Sequence, residues 1–224
     1  MRLTWVKWSA LPAAVLLVGA VAVAQEQSGS QSSSAPAPAA QSSTALKADP
    51  TVVQRKENQQ DRIANGVKSG QLTAGETTHL ENKEAAINGE TRADRAANGG
   101  KLTGAEKKQI NRQQNQASKQ IYQDKHNANT AHYGNNKVGQ RRENQQDRIA
   151  QGVKNGQLTA GETSKLENQQ RGINQQVKAD RSANGGKLTT GEKKQVNREQ
   201  NRASKNIYNK KHNGRTQGGG PKGR

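Results

Sequence analysis

The chain has 224 residues, with 36 Lys and Arg against 18 Asp and Glu, and it contains no Cys and no Phe. Hydrophobic residues make up 29% of it, aromatic residues 2%, and the mean hydropathy is -1.15. This composition excludes a polytopic membrane protein and a large enzyme-like core with a deep, dry pocket. The lack of Cys excludes a disulfide scaffold and a cysteine-based zinc or redox site.

Residues 1–24 have the pattern of a cleaved signal peptide. Arg2 and Lys7 precede an apolar run over residues 10–24, which ends on the small-x-small sequence that signal peptidase prefers. An uncleaved membrane anchor is the alternative, but the run is shorter than the ~20 residues needed to span a bilayer. The sequence therefore predicts an exported protein, periplasmic or secreted, with no transmembrane helix in its mature chain.

The mature chain contains an internal duplication. Residues 57–127 align without a gap with residues 143–213, and 50 of the 71 paired positions are identical. Residues 25–50 consist mainly of Ser, Ala, Pro and Gln, which predicts a disordered tether. The expected organisation is the tether at 25–50, helical repeat 1 at 51–127, a linker at 128–140, helical repeat 2 at 141–213, and a Gly-rich basic tail at 214–224.

Each repeat carries the motif Gly-x-Leu-Thr-x-x-Glu twice. Glycine suits the left-handed conformation that ends a helix, threonine is a good N-cap, and glutamate three residues later closes a capping box. Each motif therefore predicts the end of one helix, a tight turn and the start of the next. The turn and cap residues are Gly70, Leu72, Thr73, Glu76, Gly100, Leu102, Thr103, Glu106, Gly156, Leu158, Thr159, Glu162, Gly186, Leu188, Thr189 and Glu192.

These turns divide each repeat into three helices, which in repeat 1 are expected over residues 52–67, 73–97 and 103–126. The apolar residues recur at helical spacing, and no segment has the alternation of a strand. The predicted fold is all-α, a tandem duplication of a three-helix unit built from helical hairpins. The apolar positions at helical spacing in repeat 1 predict a narrow buried seam, to which the motif leucines Leu72 and Leu102 are added. They are Val53, Ile63, Val67, Leu80, Ile87, Ile110, Ala117 and Ile121, with Tyr122 beside the last.

The repeats resemble a group of uncharacterised exported bacterial proteins. The resemblance is carried by Arg-x-x-x-Gly-x-x-x-Gly-x-Leu-Thr-x-x-Glu at residues 62–76 and 148–162, and by Ile-Tyr-x-x-Lys-His-Asn at residues 121–127 and 207–213. It implies helical hairpins and export, and it brings no catalytic residue or cofactor with it.

Residues 65–76 also resemble the second half of a calcium-binding EF-hand loop, with glycine at position six and glutamate at position twelve. Positions one, three and five are Asn65, Val67 and Ser69, whereas calcium requires several oxygen ligands, largely carboxylates. A capped helical turn explains the motif without an ion. A degenerate EF-hand-like, calcium-responsive module is the alternative function.

No arrangement of reactive side chains recurs in both repeats. His126 lies near a helix C-terminus, where a positive charge is favourable, and a metal shared with His132 would have only two ligands. Glu81 and Glu84 share a helical face, but Gln170 replaces the second of them in repeat 2. No catalytic triad or phosphate-binding glycine loop has usable spacing. The sequence therefore predicts no enzymatic activity, no metal site and no cofactor.

The distribution of charge is the remaining sequence feature that bears on binding partners. Residues 57–127 carry 11 Lys and Arg against 9 Asp and Glu, whereas residues 143–213 carry 14 against 7. This asymmetry favours polyanions, such as lipopolysaccharide, acidic polysaccharide or extracellular nucleic acid, although a merely solvated face and another envelope protein as partner are alternatives. The expected function is a non-enzymatic structural or interaction module of the cell envelope. The candidate polyanion-binding residues are Lys178, Arg181, Lys187, Lys193, Lys194, Arg198, Arg202, Lys205, Lys210 and Lys211.

Overall fold

Six α-helices account for most of residues 50–218, which are the residues that the computed structural model describes. They are α1 (Pro50–Lys68), α2 (Ala74–Ala97), α3 (Gly104–Lys125), α4 (Lys137–Lys154), α5 (Ala160–Ala183) and α6 (Thr190–Lys211). No strand occurs within residues 50–218, so the predicted all-α class is confirmed. The predicted signal peptide, most of the predicted tether and the last six residues of the predicted tail lie outside the described residues.

The described chain has two halves, α1–α3 and α4–α6, with the same order of elements. Helices α2 and α5 begin and end 86 positions apart, as do α3 and α6. The segment after each third helix also makes an equivalent contact: the Ala131 N–H donates to the Gly70 carbonyl over 2.8 Å, and the Gln217 N–H to the Gly156 carbonyl over 3.1 Å. The start of the predicted tail is therefore part of the folded body.

Equivalent helices of the two halves pack against each other, α1 against α4 and α2 against α5. The core is shared reciprocally: Ala150 of α4 lies in the apolar cluster of the first half, and Ala64 of α1 lies in that of the second. The halves thus pair reciprocally through equivalent surfaces and form one body. The first cluster is completed by Ile63, Val67, Leu72, Leu80 and Ile121, and the second by Ile149, Val153, Leu158, Leu166 and Ile207.

Two expected core positions of repeat 1 differ in the structure. Val52 is buried and joins Ile87 and Ile110 in an outer cluster, whereas Val53 is only half-buried. Tyr122 is 59% exposed, because it follows the fully buried Ile121 and points about 100° away from it around the helix. The prediction that Tyr122 contributes to the core is therefore wrong.

Within residues 50–218, every helix is too short or too polar to cross a lipid bilayer.

Candidate functional site

The four Gly-x-Leu-Thr-x-x-Glu motifs all lie at helix-to-helix turns. In the first, the Thr73 hydroxyl accepts from the Glu76 N–H, and Glu76 Oε2 accepts from the Thr73 N–H over 2.9 Å. The same reciprocal pair starts α3, α5 and α6. The motif glycines Gly70, Gly100, Gly156 and Gly186 have φ of 72°, 90°, 64° and 86°, and the motif leucines Leu72, Leu102, Leu158 and Leu188 are buried.

In each half, the glutamate of the first turn accepts hydrogen bonds through both of its carboxylate oxygens. Glu76 Oε2 accepts from Thr73, while its Oε1 accepts from the side chain of Asn127 over 2.7 Å. Partial burial by itself would raise the pKa of Glu76, but the hydrogen bonds outweigh it and lower that pKa. Glu162 pairs with Asn213 in the same way. These carboxylates therefore hold the segment after the third helix against the turn, which is a structural role.

The described residues contain no group of three or more His, Asp or Glu side chains placed to hold a metal ion. The calcium-responsive alternative thus gains no supporting geometry from the part of the chain that is described.

The two histidines at the ends of α3 and α6 stack on exposed tyrosines. The His126 and Tyr122 ring centroids lie 4.2 Å apart, those of His212 and Tyr208 4.1 Å apart, and each His Nδ1 lies 2.7 Å from the tyrosine carbonyl oxygen. Tyr208 is 56% exposed. Each stack therefore presents an aromatic surface at the C-terminal end of its helix.

The structure distributes the ten candidate polyanion-binding residues over several places. Four form an exposed row along α6 at spacings of four, four and three residues: Lys194, Arg198, Arg202 and Lys205. The equivalent row of α3 has Gln116 in place of Arg202. Lys187 is exposed in the turn before α6, and Lys193 is exposed in the first part of α6. Lys210 and Lys211 are half-buried at the end of α6. Lys178 and Arg181 line a cavity.

That cavity, of about 720 Å³, lies between α4, α5 and residues 130–133. A counterpart of about 520 Å³, the cavity of the first half, lies between α1 and α2 and is closed by residues of the second half, among them Lys154 and Gln217. The two cavities are equivalent in the repeat, because several polar lining residues occupy paired positions. These pairs are Lys56 and Arg142, Gln60 and Gln146, Asn88 and Asn174, Arg92 and Lys178, and Arg95 and Arg181.

The cavity of the second half is strongly basic. Arg142, Lys178 and Arg181 line it, and none of the described residues that line it is Asp or Glu. The Arg142 guanidinium lies over the ring of Tyr133, 5.4 Å from its centroid, while the Arg142 Nε is buried and donates to no protein acceptor. Burial lowers the pKa of Arg142, Tyr133 acts in the opposite direction, and the nearby charge of Arg181 lowers the pKa further.

The cavity of the first half contains carboxylates as well as cations, and its half-buried Lys56 has a hydrogen-bond partner, whereas Arg95 Nη2 is buried without one. Glu57 and Asp61 line it, and Lys56 Nζ donates to the Gln217 carbonyl over 2.7 Å. Burial lowers the pKa of Lys56, while the charges of Glu57 and Glu84 act in the opposite direction. The two cavities thus share a framework but differ in electrostatics.

Besides Glu162 in its turn, three glutamates are buried between the helices: Glu81, Glu84 and Glu167. Glu81 Oε2 accepts from Gln60 over 3.0 Å, and its equivalent Glu167 accepts through Oε2 from Gln146 over 2.8 Å. Both oxygens of Glu84 are buried without a hydrogen-bond donor. Burial raises the pKa of Glu84 to about 7 and that of Glu167 to about 8. It also raises the pKa of Glu81 well above its ordinary value, and the charges of the other two add to the effect.

Sequence reasoning missed both the cavities and the buried glutamates. The available signal was the persistence of Gln60 as Gln146, on the helical face that also carries Ile63 and Val67, and the persistence of Glu81 as Glu167. The chain matches no family model, no curated protein and no solved structure.

Proposed function

We propose that the chain is an exported, non-enzymatic interaction module whose basic second half binds polyanions of the cell envelope or its surroundings. The observation that carries the proposal is the exposed row of Lys194, Arg198, Arg202 and Lys205 on α6. Export rests on the signal-peptide pattern of residues 1–24. No arrangement of reactive side chains is common to both repeats, which favours a binding role over catalysis.

The α6 row suits a charged polymer because successive cations lie about one helical turn, roughly 5.4 Å, apart along one face. A polymer that is neutralised by such a row releases its counterions, which makes binding favourable and sensitive to salt. The exposed ring of Tyr208 lies one turn beyond Lys205 and adds a surface on which a sugar or base can stack.

The proposal is tested by measuring affinity for heparin and for a short DNA duplex across a salt series. We expect affinity to fall steeply as salt rises, with a slope for DNA of about -0.9 per phosphate neutralised. The variant in which Lys194, Arg198, Arg202 and Lys205 are all replaced by Gln is expected to bind more weakly and with a shallower slope.

The matched control replaces the equivalent cations of α3, Lys108, Arg112 and Lys119, by Gln. Its effect is expected to be smaller than that of the α6 variant. Affinity that does not respond to salt, or equal losses in the two variants, would contradict binding through the second half. Export is checked by N-terminal sequencing of the mature protein, which is expected to begin at Gln25; full-length chain accumulating in the cytoplasm would contradict it.

A further inference from the structure

We propose that the basic cavity between α4, α5 and residues 130–133 binds a small oxyanion that carries hydroxyl groups, such as a uronate or a sugar phosphate. Arg142 and Arg181 would hold the anionic group, and Asn174 would accept a hydrogen bond from a ligand hydroxyl. The site is distinct from the α6 row and does not depend on polymer binding there.

The charge of the cavity supports an anionic ligand. Three cations line it and no Asp or Glu does among its described lining residues. Arg142 is half-buried, and its buried Nε has no protein acceptor. Taking a guanidinium out of water is costly unless its donors are paired, and carboxylate or phosphate oxygens fit those donors well. An oxyanion would therefore supply the partner that the protein does not.

Position also favours this use of the two arginines. Arg142 is held against the ring of Tyr133, which limits the directions in which its remaining donors point. Arg181 donates one hydrogen bond, to Asn136 Oδ1 over 3.3 Å, from the opposite helix of the cavity. The two guanidinium groups thus approach from α4 and α5, which is the arrangement expected for a clamp on one anionic group.

A second unpaired group indicates that the ligand is more than a bare ion. The Oδ1 atom of Asn174, which lines the same cavity, is buried and accepts from no protein donor. An acceptor needs a hydroxyl or amine on the ligand. The cavity volume of about 720 Å³ is also in the range of small-molecule sites rather than of a single phosphate ion.

The counterpart cavity provides an internal control. Its cation Lys56, equivalent to Arg142, already donates to the Gln217 carbonyl, and Glu57 and Asp61 line that cavity. An anion entering the first cavity would meet these two carboxylates. Arg95 in that cavity also has a buried Nη2 atom without an acceptor, so the two carboxylates are the feature that assigns binding to the second half.

The test is calorimetry of the full mature chain with galacturonate, glucose 6-phosphate, inorganic phosphate and glucose. We expect galacturonate or glucose 6-phosphate to bind, and which of them binds identifies the anionic group as carboxylate or phosphate. Glucose is expected not to bind, and inorganic phosphate to bind more weakly than the sugar phosphate. Binding of neither sugar anion, or equal binding of glucose, would overturn the proposal.

Variants assign the site. R142Q is expected to weaken binding about tenfold or more, since hydrogen bonds to charged groups contribute about that much, whereas K56Q is expected to bind as the wild type does. R142K keeps the charge without the forked donors and is expected to bind with intermediate affinity. Helical circular dichroism verifies that each variant folds.

Unchanged affinity in a folded R142Q, or equal losses in R142Q and K56Q, would overturn the assignment. The quadruple Gln variant of the α6 row is expected to retain full affinity for the small ligand. Loss of small-ligand binding in the cavity is therefore distinguishable from loss of polyanion binding on α6.

Discussion

Buried amide and carboxyl side chains replace much of the apolar core in this protein. Gln59 and its equivalent Gln145 differ in whether their buried Oε1 atom accepts a hydrogen bond. In the second half, Gln170 Nε2 donates to Gln145 Oε1 over 3.1 Å. In the first half Glu84 occupies the equivalent place, and Gln59 Oε1 is buried without a donor. A carboxylate cannot supply that donor, whereas a protonated carboxyl or an amide can.

We predict that E84Q stabilises the protein at pH 8 and changes it little at pH 5. The folded chain holds the Glu84 proton up to about pH 7, against an ordinary pKa of 4.5. Because the folded state binds this proton more tightly, stability falls as pH rises from about 4.5 to about 7 and is fully reduced at pH 8. The gain expected for E84Q at pH 8 is on the order of 3 kcal/mol at most. Urea unfolding at both pH values measures it.

The reverse exchange in the other half is the matched control. Q170E places a carboxyl group where the amide now donates to Gln145, so it is expected to destabilise the protein at pH 8 and less at pH 5. Two variants with the same pH response, or an E84Q protein that is less stable at pH 8, would contradict this account of the buried carboxyl group.

At the scale of the element, the turns could be predicted from the sequence because their determinants are local. A glycine, a threonine and a glutamate within seven residues specify each turn, and in repeat 1 the expected helix limits lie within two residues of α1, α2 and α3. What a helical glycine touches could not be predicted in this way. Gly66 and Gly89 both lie inside helices, yet their surroundings differ entirely.

We predict opposite effects for alanine at these two glycines. A Cβ at Gly66 would lie 2.7 Å from Cγ and Cδ1 of Leu72, which is fully buried under the turn, whereas a Cβ at Gly89 meets nothing within 4 Å. G66A is therefore expected to destabilise the protein by about 1–3 kcal/mol through overpacking. G89A is expected to stabilise it by about 0.5–1 kcal/mol through helix propensity.

Thermal unfolding followed by circular dichroism compares the two variants directly. The second half offers a natural parallel, since Gln175 occupies the position equivalent to Gly89. Equal effects of G66A and G89A would show that the close approach of α1 to Leu72 does not govern the stability of the turn.

At the scale of the whole molecule, the pairing of the two halves could not be predicted. Apolar periodicity identifies the stripe that each helix buries within its own repeat. The contacts between halves also use small and polar side chains, such as Ala64, Ala150 and the hydrogen bond from the Ser164 hydroxyl to Asn82 Oδ1 over 2.6 Å. Such residues also occur on solvated helix faces, so the sequence pattern does not distinguish the two environments.

The same pairing explains why the candidate cavity was not predicted. It is built from α4 and α5 of the second half and from residues 130–133, which follow the third helix of the first half. Lys178 and Arg181 were identified from charge alone, whereas the contact of Arg142 with Tyr133 and the lining by Thr73 and Ala74 of the first half are seen only in the folded chain. The long-range arrangement, rather than any local motif, creates the site.

The two repeats fold as one body through the pairing of equivalent helices, α1 with α4 and α2 with α5. The most direct test compares residues 50–218 with the separate halves 50–131 and 132–218 by circular dichroism, urea unfolding and sedimentation. The long chain is expected to unfold in one cooperative transition. Neither half is expected to be a stably helical monomer, because separation exposes the surfaces through which α1 packs on α4 and α2 packs on α5. Two halves that are fully helical monomers with the same unfolding midpoint as the long chain would contradict the claim.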